Sequence, residues 1–315
     1  IQRLKDMDIC GEIILVPNCN PIGTNIKAGE YTLGRFDPVN GTNWNRGYFF
    51  DKDAVEHFAK TVTREESIEG IKQRFRAHLS NAIDNKLAEP WGLGLAQQLN
   101  LKLQQMAVNA DFVLDLHNGP VSTRHVYIPE YAKDSAKLFN IPHCIFIPNV
   151  FAGALDEATF CPWWTLQESI KTNLAREVSF NVEAFTLEMG SQEVIDFNEG
   201  NIDATSILSY LNAKGVLHEC DIKPTEMKRL GVYLKDYKTL FTNWGGMVEY
   251  MAKPGQTVKK GEPLAQILNI DDLDTDNGSR TLEAPCDLIP ILHFPSASVL
   301  SGTQLYKVFT NYKEL

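Results

Sequence analysis

A histidine and a glutamate each lie near the end of an apolar, strand-like stretch of the sequence. His117 follows a mostly apolar run in FVLDLHNG, and Glu188 lies late in VEAFTLEMG. At the end of a buried strand, an imidazole can bind a metal ion or take a proton, and a carboxylate can act as the general base that activates water. The structural alternatives are a polar residue that closes a strand for His117 and an ion pair with an arginine for Glu188.

An asparagine and an arginine lie together in a long segment rich in Asn, Gly, Pro and Asp. The segment covers residues 18–51 and contains NWNRG, in which Asn45 precedes Arg46. Long ordered loops are functional more often than short ones, and a guanidinium makes bidentate, charge-assisted hydrogen bonds with a carboxylate. The pair is therefore a candidate for holding a carboxylate. The alternative is an asparagine that caps a turn beside an arginine in solvent.

Strand-like and helix-like patterns alternate through the first two thirds of the chain and must position these residues. Strands are predicted at 11–17, 111–116, 124–128, 144–148 and 182–190. Helices are predicted at 63–83 with Thr63 as the cap, and at 93–108, 130–139, 165–178 and 201–214, with a loop before the helix at 165. The alternation is typical of a mostly parallel sheet flanked by helices. Ligands of such sheets bind beyond the carboxyl ends of the strands.

After about residue 224, short strand-like runs and turns replace the helices. Segments 253–267 and 294–308 share the pattern P-x-x-x-V-x-x-G-x-x-L-x-x-[IV] at an offset of 41 residues. A pattern that occurs twice predicts two similar β halves, and it resembles the biotinyl/lipoyl-carrier fold. That family modifies a lysine on the hairpin between the halves, and no lysine occurs here between Lys260 and Lys307. The resemblance therefore extends to the fold and not to a carrier function.

Composition and charge restrict the functional classes. The 315 residues are 43% hydrophobic and 22% charged, as in ordinary globular proteins, and we predict two domains, at 1–224 and 225–315. A formal net charge of −10 argues against binding to nucleic acid or anionic membranes, and no apolar run approaches the roughly 20 residues of a membrane span. The six cysteines form no C-x-x-C pair and predict free thiols in a reducing compartment, so we expect a cytoplasmic protein.

Four motifs occur in a defined order, namely V-P-N-C-N-P-x-G, N-W-N-R, D-L-H-N and T-L-E-M-G. Together with the C-terminal β pattern, they resemble the succinylglutamate desuccinylase/aspartoacylase family of the zinc-carboxypeptidase superfamily, over essentially the whole chain. The resemblance implies an α/β fold, with a mostly parallel mixed sheet flanked by helices and a smaller all-β C-terminal barrel. It also implies a hydrolase with one Zn²⁺ ion.

The resemblance assigns the metal and the base. His117 matches the family's third zinc ligand, and Glu188 matches its catalytic glutamate. The family's other two zinc ligands belong to an H-x-x-E motif, and no such motif occurs in this sequence. Because the first residues have helical spacing, we expect this motif upstream of Ile1.

The resemblance also assigns the substrate contacts. Asn45 and Arg46 match the second half of a D-L-N-R motif that holds the substrate carboxylate. Here Asn43 and Trp44 replace Asp and Leu, which changes the loop and keeps the carboxylate-binding pair. Arg35 matches, less closely because the loop lengths differ, a further arginine that helps to polarise the scissile carbonyl.

The implied reaction is hydrolysis of the amide bond of an N-acyl amino acid, with a metal-activated water and a glutamate base. The expected ligand is a small N-acyl amino acid, or a short peptide, that carries a carboxylate. A carboxypeptidase-like peptidase and an inactive, metal-free binding homologue are the alternatives. Neither nucleic acid nor a membrane is an expected partner, and a homo-oligomer stays open.

Overall fold

The computed structural model describes residues 1–28, 31–32, 34–218, 220–275 and 278–315. The chain forms two compact units. The first comprises Ile1–Ile13, Leu116–Ile147 and Thr186–Leu315, and the second comprises Ile14–Asp115 and Pro148–Phe185. The predicted domain boundary between residues 224 and 225 stays a prediction.

The α-helices of the described residues are α1 (Pro21–Asn25), α2 (Lys52–Ala59), α3 (Ile68–Leu87), α4 (Leu95–Ala107), α5 (Leu155–Leu174) and α6 (Phe197–Ala213). Short 3-10 helices lie at Arg3–Asp6, Glu130–Leu138, Leu234–Asp236 and Ile270–Asp272. No helix of the described residues has the length and apolarity to cross a membrane.

The strands are β1 (Asp8–Ile9), β2 (Lys27–Ala28), β3 (Tyr31–Thr32), β4 (Phe112–Gly119), β5 (Val121–Ser122), β6 (His125–Pro129), β7 (His143–Ile147), β8 (Glu183–Ser191), β9 (Leu217–His218), β10 (Leu230–Tyr233), β11 (Tyr237–Phe241), β12 (Gly246–Tyr250), β13 (Pro263–Leu268), β14 (Ser279–Glu283), β15 (Ile289–His293), β16 (Ser298–Val299), β17 (Gln304–Phe309) and β18 (Lys313–Glu314). Four of the predicted strands correspond to β4, β6, β7 and β8. Their apolar runs therefore indicated four consecutive strands of one sheet.

A six-stranded mixed sheet carries the predicted catalytic strands, in the order β18-β10-β7-β6-β8-β4. Strand β7 pairs in parallel with both β6 and β10, whereas β8 runs antiparallel to β6. Residues of β7 are buried throughout, which explains why its sequence after His143 is continuously apolar rather than alternating. The predicted α/β class, with a mixed sheet flanked by helices, is confirmed.

The strand predicted at 11–17 is wrong. Residues 11–17 form no strand, and Ile14, Leu15 and Val16 are 59%, 47% and 41% exposed. An apolar run becomes a buried strand only where another strand satisfies its backbone groups, and no strand of the described residues pairs with this segment.

Among the helix starts, those of α3 and α5 differ most from the predictions. Helix α3 begins after Ser67, whose hydroxyl accepts from the Gly70 N–H at 3.1 Å. Thr63 is not its cap, because the helix begins at Ile68 with Ser67 in the N-cap position, and Glu66 bonds to Arg74. Helix α5 begins ten residues before the predicted start at 165 and contains Pro162, so the proline and glycines that predicted a loop misplaced this boundary.

Helices α2, α3 and α5 enclose the core of the second unit. Phe75 of α3 is fully buried, and its ring lies 4.9 Å from that of Trp163 on α5, with the ring planes almost perpendicular. Each large aromatic side chain buried in this way contributes roughly 1.5–3 kcal/mol. This core fixes the positions of α2, α3 and α5, the helices that carry the loops of the second unit.

The C-terminal part of the chain forms two antiparallel sheets, β14-β13-β12-β16 and β11-β17-β15-β5, and the edge strand β5 of the second comes from residues Val121–Ser122. The repeated valines, leucines and final apolar residues of the sequence pattern are all buried in one core. The repeated glycines, Gly261 and Gly302, have φ values of 84° and 85°, a backbone region that favours glycine. The repeat in the sequence therefore reflects two halves with the same turn geometry.

Candidate active site

Neighbouring strands of the mixed sheet bring His117 and Glu188 together in the first unit. Strands β4 and β8 are adjacent, and His117 Nδ1 lies 4.0 Å from Glu188 Oε1. The two side chains are 23% and 15% exposed, so solvent reaches the pair. Glu188 Oε2 is buried and has no hydrogen-bond partner among the described residues.

An orphaned carboxylate oxygen of this kind needs a ligand or a water molecule. A buried polar atom without a partner costs about 1–3 kcal/mol, and more for a charged group. Glu188 is directed toward His117 instead of an arginine. The pair therefore fits a general base beside a possible metal ligand better than it fits a structural ion pair.

A second histidine, His125, lies directly opposite Glu188 on β6. Its side chain is fully buried, and Nδ1 lies 2.9 Å from the Thr123 carbonyl oxygen. Burial lowers the pKa of His125 below its usual value, although the Glu188 carboxylate acts in the opposite direction. Glu188 is thus flanked by a neutral imidazole. The sequence singled out His117 and not His125, because only the pairing of β6 with β8 reveals this neighbour.

Side chains from the C-terminal strands pack beside His125. The ring of Tyr237 on β11 lies 6.3 Å from the rings of both His125 and Tyr127. Burial raises the pKa of Tyr237 well above its usual value, and Tyr127 and Glu188 raise it further. Lys307 on β17 places its ammonium 5.2 Å from the centre of the Tyr237 ring. The β region therefore forms part of the surroundings of Glu188.

The described residues do not complete a metal site. A catalytic zinc ion usually has three protein ligands and an open position. No group of three or more His, Cys, Asp or Glu side chains that could hold a metal ion occurs among them. His117 can supply one nitrogen ligand, and its position beside the unsatisfied Glu188 oxygen is compatible with a metal site completed by other ligands.

The predicted carboxylate-binding residues lie in the second unit, on a loop folded back against Arg35. Phe36 and Asn43 form an isolated antiparallel bridge, and the Trp44 N–H donates to the Arg35 carbonyl at 2.7 Å. Trp44 is buried, and its indole N–H donates to Asp37 at 3.3 Å. The tryptophan that replaces the family's leucine therefore fixes the base of the loop.

The guanidinium groups of this loop are accessible. Arg35 and Arg46 are exposed and Asn45 is half-buried. Arg46 bonds to the carbonyl of Asn45, and the Arg35 guanidinium lies 5.2 Å from the centre of the Phe36 ring. No ion pair between either arginine and a carboxylate occurs within the described residues.

Three of the sequence motifs meet around Tyr48 in the second unit. Burial raises the pKa of Tyr48, and the charges of Asp115, Cys19 and Asp156 raise it further. Cys19 belongs to the V-P-N-C-N motif, and Asp115 precedes the D-L-H-N histidine by two residues. The Tyr48 hydroxyl therefore stays protonated among acidic groups, two residues after Arg46.

The family model of the succinylglutamate desuccinylase/aspartoacylase catalytic domain matches residues 1–213, about two thirds of the chain. The chain belongs to this family. The resemblance drawn from its four motifs is thereby confirmed, and membership in the succinylglutamate desuccinylase/aspartoacylase family is consistent with hydrolysis of acyl amino acids. No match was found among curated proteins.

Two solved structures assigned to the succinylglutamate desuccinylase/aspartoacylase family are similar over nearly the whole chain. A protein from Shewanella frigidimarina NCIMB 400 is 44% identical with a TM-score of 0.95, covering 99% of this chain and 83% of its own. One from Shewanella amazonensis SB2B is 44% identical with a TM-score of 0.96, covering 100% and 85%. A Rhodobacter sphaeroides structure, 15% identical with a TM-score of 0.57 over 90% and 71% of the two chains, shares the fold.

Proposed function

We propose that this protein is a zinc-dependent amidohydrolase that cleaves the amide bond of an N-acyl amino acid. The observation that carries the proposal is the Glu188 carboxylate, which has one buried oxygen without a partner among the described residues and lies 4.0 Å from His117. Membership in the succinylglutamate desuccinylase/aspartoacylase family supports the substrate class. The roles of the individual residues and the zinc ion are parts of the same proposal.

Glu188 would act as the base and then as the acid. Its carboxylate takes a proton from a water molecule, the water oxygen bonds to the acyl carbon, and the carbon–nitrogen bond breaks. The proton passes from Glu188 to the leaving amine nitrogen, so the products are a carboxylic acid and a free amino acid. General acid–base catalysis of this kind contributes typically 10²–10⁴-fold to a rate.

His117 would be one ligand of the zinc ion, and no group of three or more possible metal ligands occurs among the described residues. Zinc, when bound, acts as a Lewis acid that polarises the acyl carbonyl and makes a water molecule easier to deprotonate. On the β6 side, the fully buried His125 lies opposite Glu188.

Arg46 and Asn45 would hold the substrate's carboxylate, with Arg35 contributing a second positive charge. Both arginines are exposed, and a bidentate guanidinium–carboxylate pair fixes orientation as well as adding binding energy. The proposed substrates are therefore small N-acyl amino acids or short peptides that carry a carboxylate.

Metal content and turnover together test this function. We expect protein expressed from the full reading frame to contain close to one zinc per chain by elemental analysis and to release an amino acid from at least one member of a panel of N-acyl amino acids. His117→Ala should lose both zinc and turnover, whereas the control His218→Ala, at an exposed position, should retain both. Full zinc content in His117→Ala would contradict the ligand assignment, and cleavage of peptides alone would favour a peptidase.

A further inference from the structure

Helix α4 directs two buried amide side chains at the backbone of the Arg46 loop. Asn100 and Gln104 are 2% and 4% exposed, and a spacing of four residues places them on the same helix face. Asn100 Nδ2 donates to the Arg46 carbonyl oxygen at 2.8 Å. Gln104 accepts from the Phe49 N–H at 2.9 Å and donates to the Phe49 carbonyl at 2.6 Å.

These hydrogen bonds satisfy backbone groups that a neighbouring strand would otherwise satisfy. Residues 46–50 have no regular secondary structure, so their backbone groups need partners other than a sheet ladder. Gln104 pairs with both the N–H and the carbonyl of Phe49, as a residue on a neighbouring strand would. The course of the loop therefore depends on side chains of α4.

The same loop is also packed closely against Gly153. The Tyr48 N–H donates to the Gly153 carbonyl at 3.3 Å. Gly153 has a φ of 103°, and a Cβ added there would lie 3.5 Å from both Arg46 Cδ and the Gly47 nitrogen. The stem of Arg46 is thus packed against a glycine while its guanidinium remains exposed.

A purely stabilising role does not account for Asn100. Its Oδ1 is buried and has no hydrogen-bond partner among the described residues, which costs about 1–3 kcal/mol. Leucine has a similar shape and would avoid that cost, so the one bond that Asn100 makes, to the carbonyl of Arg46, is its distinctive contribution.

We propose that Asn100 and Gln104 are positioning residues that hold the Asn45–Arg46 pair in place for the substrate carboxylate. This inference rests on the proposed function, because it takes Arg46 as the group that binds the carboxylate. Neither residue touches the substrate. Each acts through the backbone of the loop.

Kinetics of variants of α4 test the inference. We expect Asn100→Leu and Gln104→Leu to raise KM for an N-acyl amino acid about tenfold each with kcat changed less than about threefold, because a binding group held equally in ground and transition states affects KM. Gln105→Leu is the matched control, since Gln105 lies on the same helix and bonds to Asp84. It should leave both constants unchanged.

Hydrogen exchange gives a readout that does not depend on turnover. The Phe49 amide should exchange faster in Gln104→Leu, which removes its acceptor, and should remain slow in Gln104→Glu, which keeps an acceptor oxygen. Asn100→Leu should leave this amide slow, because Asn100 bonds to a carbonyl. If the leucine variants misfold, the Glu variant still tests the contact.

The outcomes separate this inference from the proposed function. If Arg46→Ala raises KM while the α4 leucine variants do not, the positioning role is overturned and the proposed function stands. If Arg46→Ala also leaves KM unchanged, the carboxylate assignment fails and the positioning role fails with it. Unchanged exchange of the Phe49 amide in Gln104→Leu overturns the contact itself, whichever substrate is used.

Discussion

The two groups of candidate site residues are positioned by different means. His117 and Glu188 lie on adjacent strands of a sheet, and the register of β6 and β8 places His125 opposite Glu188. Asn45 and Arg46 lie on an irregular loop, and side chains of α4 bond to its backbone. The first pair is held by a backbone ladder, and the second by a few buried amides.

This difference predicts different consequences for function. A sheet ladder distributes positioning over many hydrogen bonds, so single side-chain changes near Glu188 alter its chemistry more than its location. A loop held by three side-chain bonds can shift when one of them is lost, which weakens the proposed contact between Arg46 and the substrate carboxylate. Changes in the sheet should therefore appear in kcat, and changes in the loop should appear in KM.

The largest expected effect is that of Glu188→Gln on the sheet side. The amide keeps the shape of the side chain and cannot take a proton from water, so kcat should fall by about 10²–10⁴-fold. Zinc content and the melting temperature should change little, because Glu188 is not proposed as a ligand. Steady-state kinetics with elemental analysis would check this.

Glu193→Gln provides the control for Glu188→Gln. Glu193 follows the same strand and is exposed, so its replacement should leave kcat unchanged. A Glu188→Gln enzyme with near wild-type turnover would show that the sheet holds a structural carboxylate and not the base.

A smaller effect is expected for Arg46→Met on the loop side. Methionine keeps most of the stem and removes the guanidinium, and a charge-assisted hydrogen bond contributes about 1.5–3 kcal/mol. KM should therefore rise about 10- to 150-fold with little change in kcat. The rise should disappear for a substrate whose carboxylate is replaced by an amide.

Arg64→Met removes the same charge from an exposed position of the second unit and should leave KM unchanged. If Arg46→Met instead lowered kcat as strongly as Glu188→Gln, the division of roles between sheet and loop would be wrong.

The sequence was sufficient to place His117 and Glu188 on strands and insufficient to predict their surroundings. Apolar runs that end in a polar residue indicated β4 and β8, because strand periodicity is local. His125 was not distinguished from other histidines, since its relation to Glu188 depends on the pairing of distant strands. The run at 11–17 had the same apolar pattern as β7, and periodicity cannot show whether a partner strand exists.

For the loop, the sequence indicated only the Asn45–Arg46 motif. Asn45 and Arg46 were visible as a pair, but Asn100 and Gln104 have the polarity expected of the solvent face of a helix. They are buried because the loop packs across α4. No local sequence pattern predicts that contact. The role of Trp44 was equally hard to predict. Its indole N–H bonds to Asp37 because the chain reverses direction between the two residues, and the tryptophan in the motif does not indicate that reversal.

The third prediction concerns acid sensitivity of the sheet that carries Glu188. His143 on β7 is paired with His125 on β6, and its Nδ1 lies 3.2 Å from the Arg124 carbonyl oxygen. Burial lowers the pKa of His143 from 6.5 to about 4, the hydrogen bond to Arg124 opposes the shift and the charge of His125 adds to it. The folded protein therefore keeps this imidazole neutral where the unfolded chain would bind a proton.

The sign of the pH effect follows from this difference. Between the unfolded pKa of 6.5 and the folded value of about 4, the unfolded chain binds more protons, so stability falls as the pH falls. From pH 7 to pH 5, His143 alone should remove about 2 kcal/mol from the free energy of unfolding. Urea denaturation at the two pH values should show a loss smaller by that amount in His143→Asn, which cannot titrate. An equal loss in both proteins would show that His143 does not contribute to the acid sensitivity of the sheet. The difference between the sheet and the loop would then rest on the kinetic predictions alone.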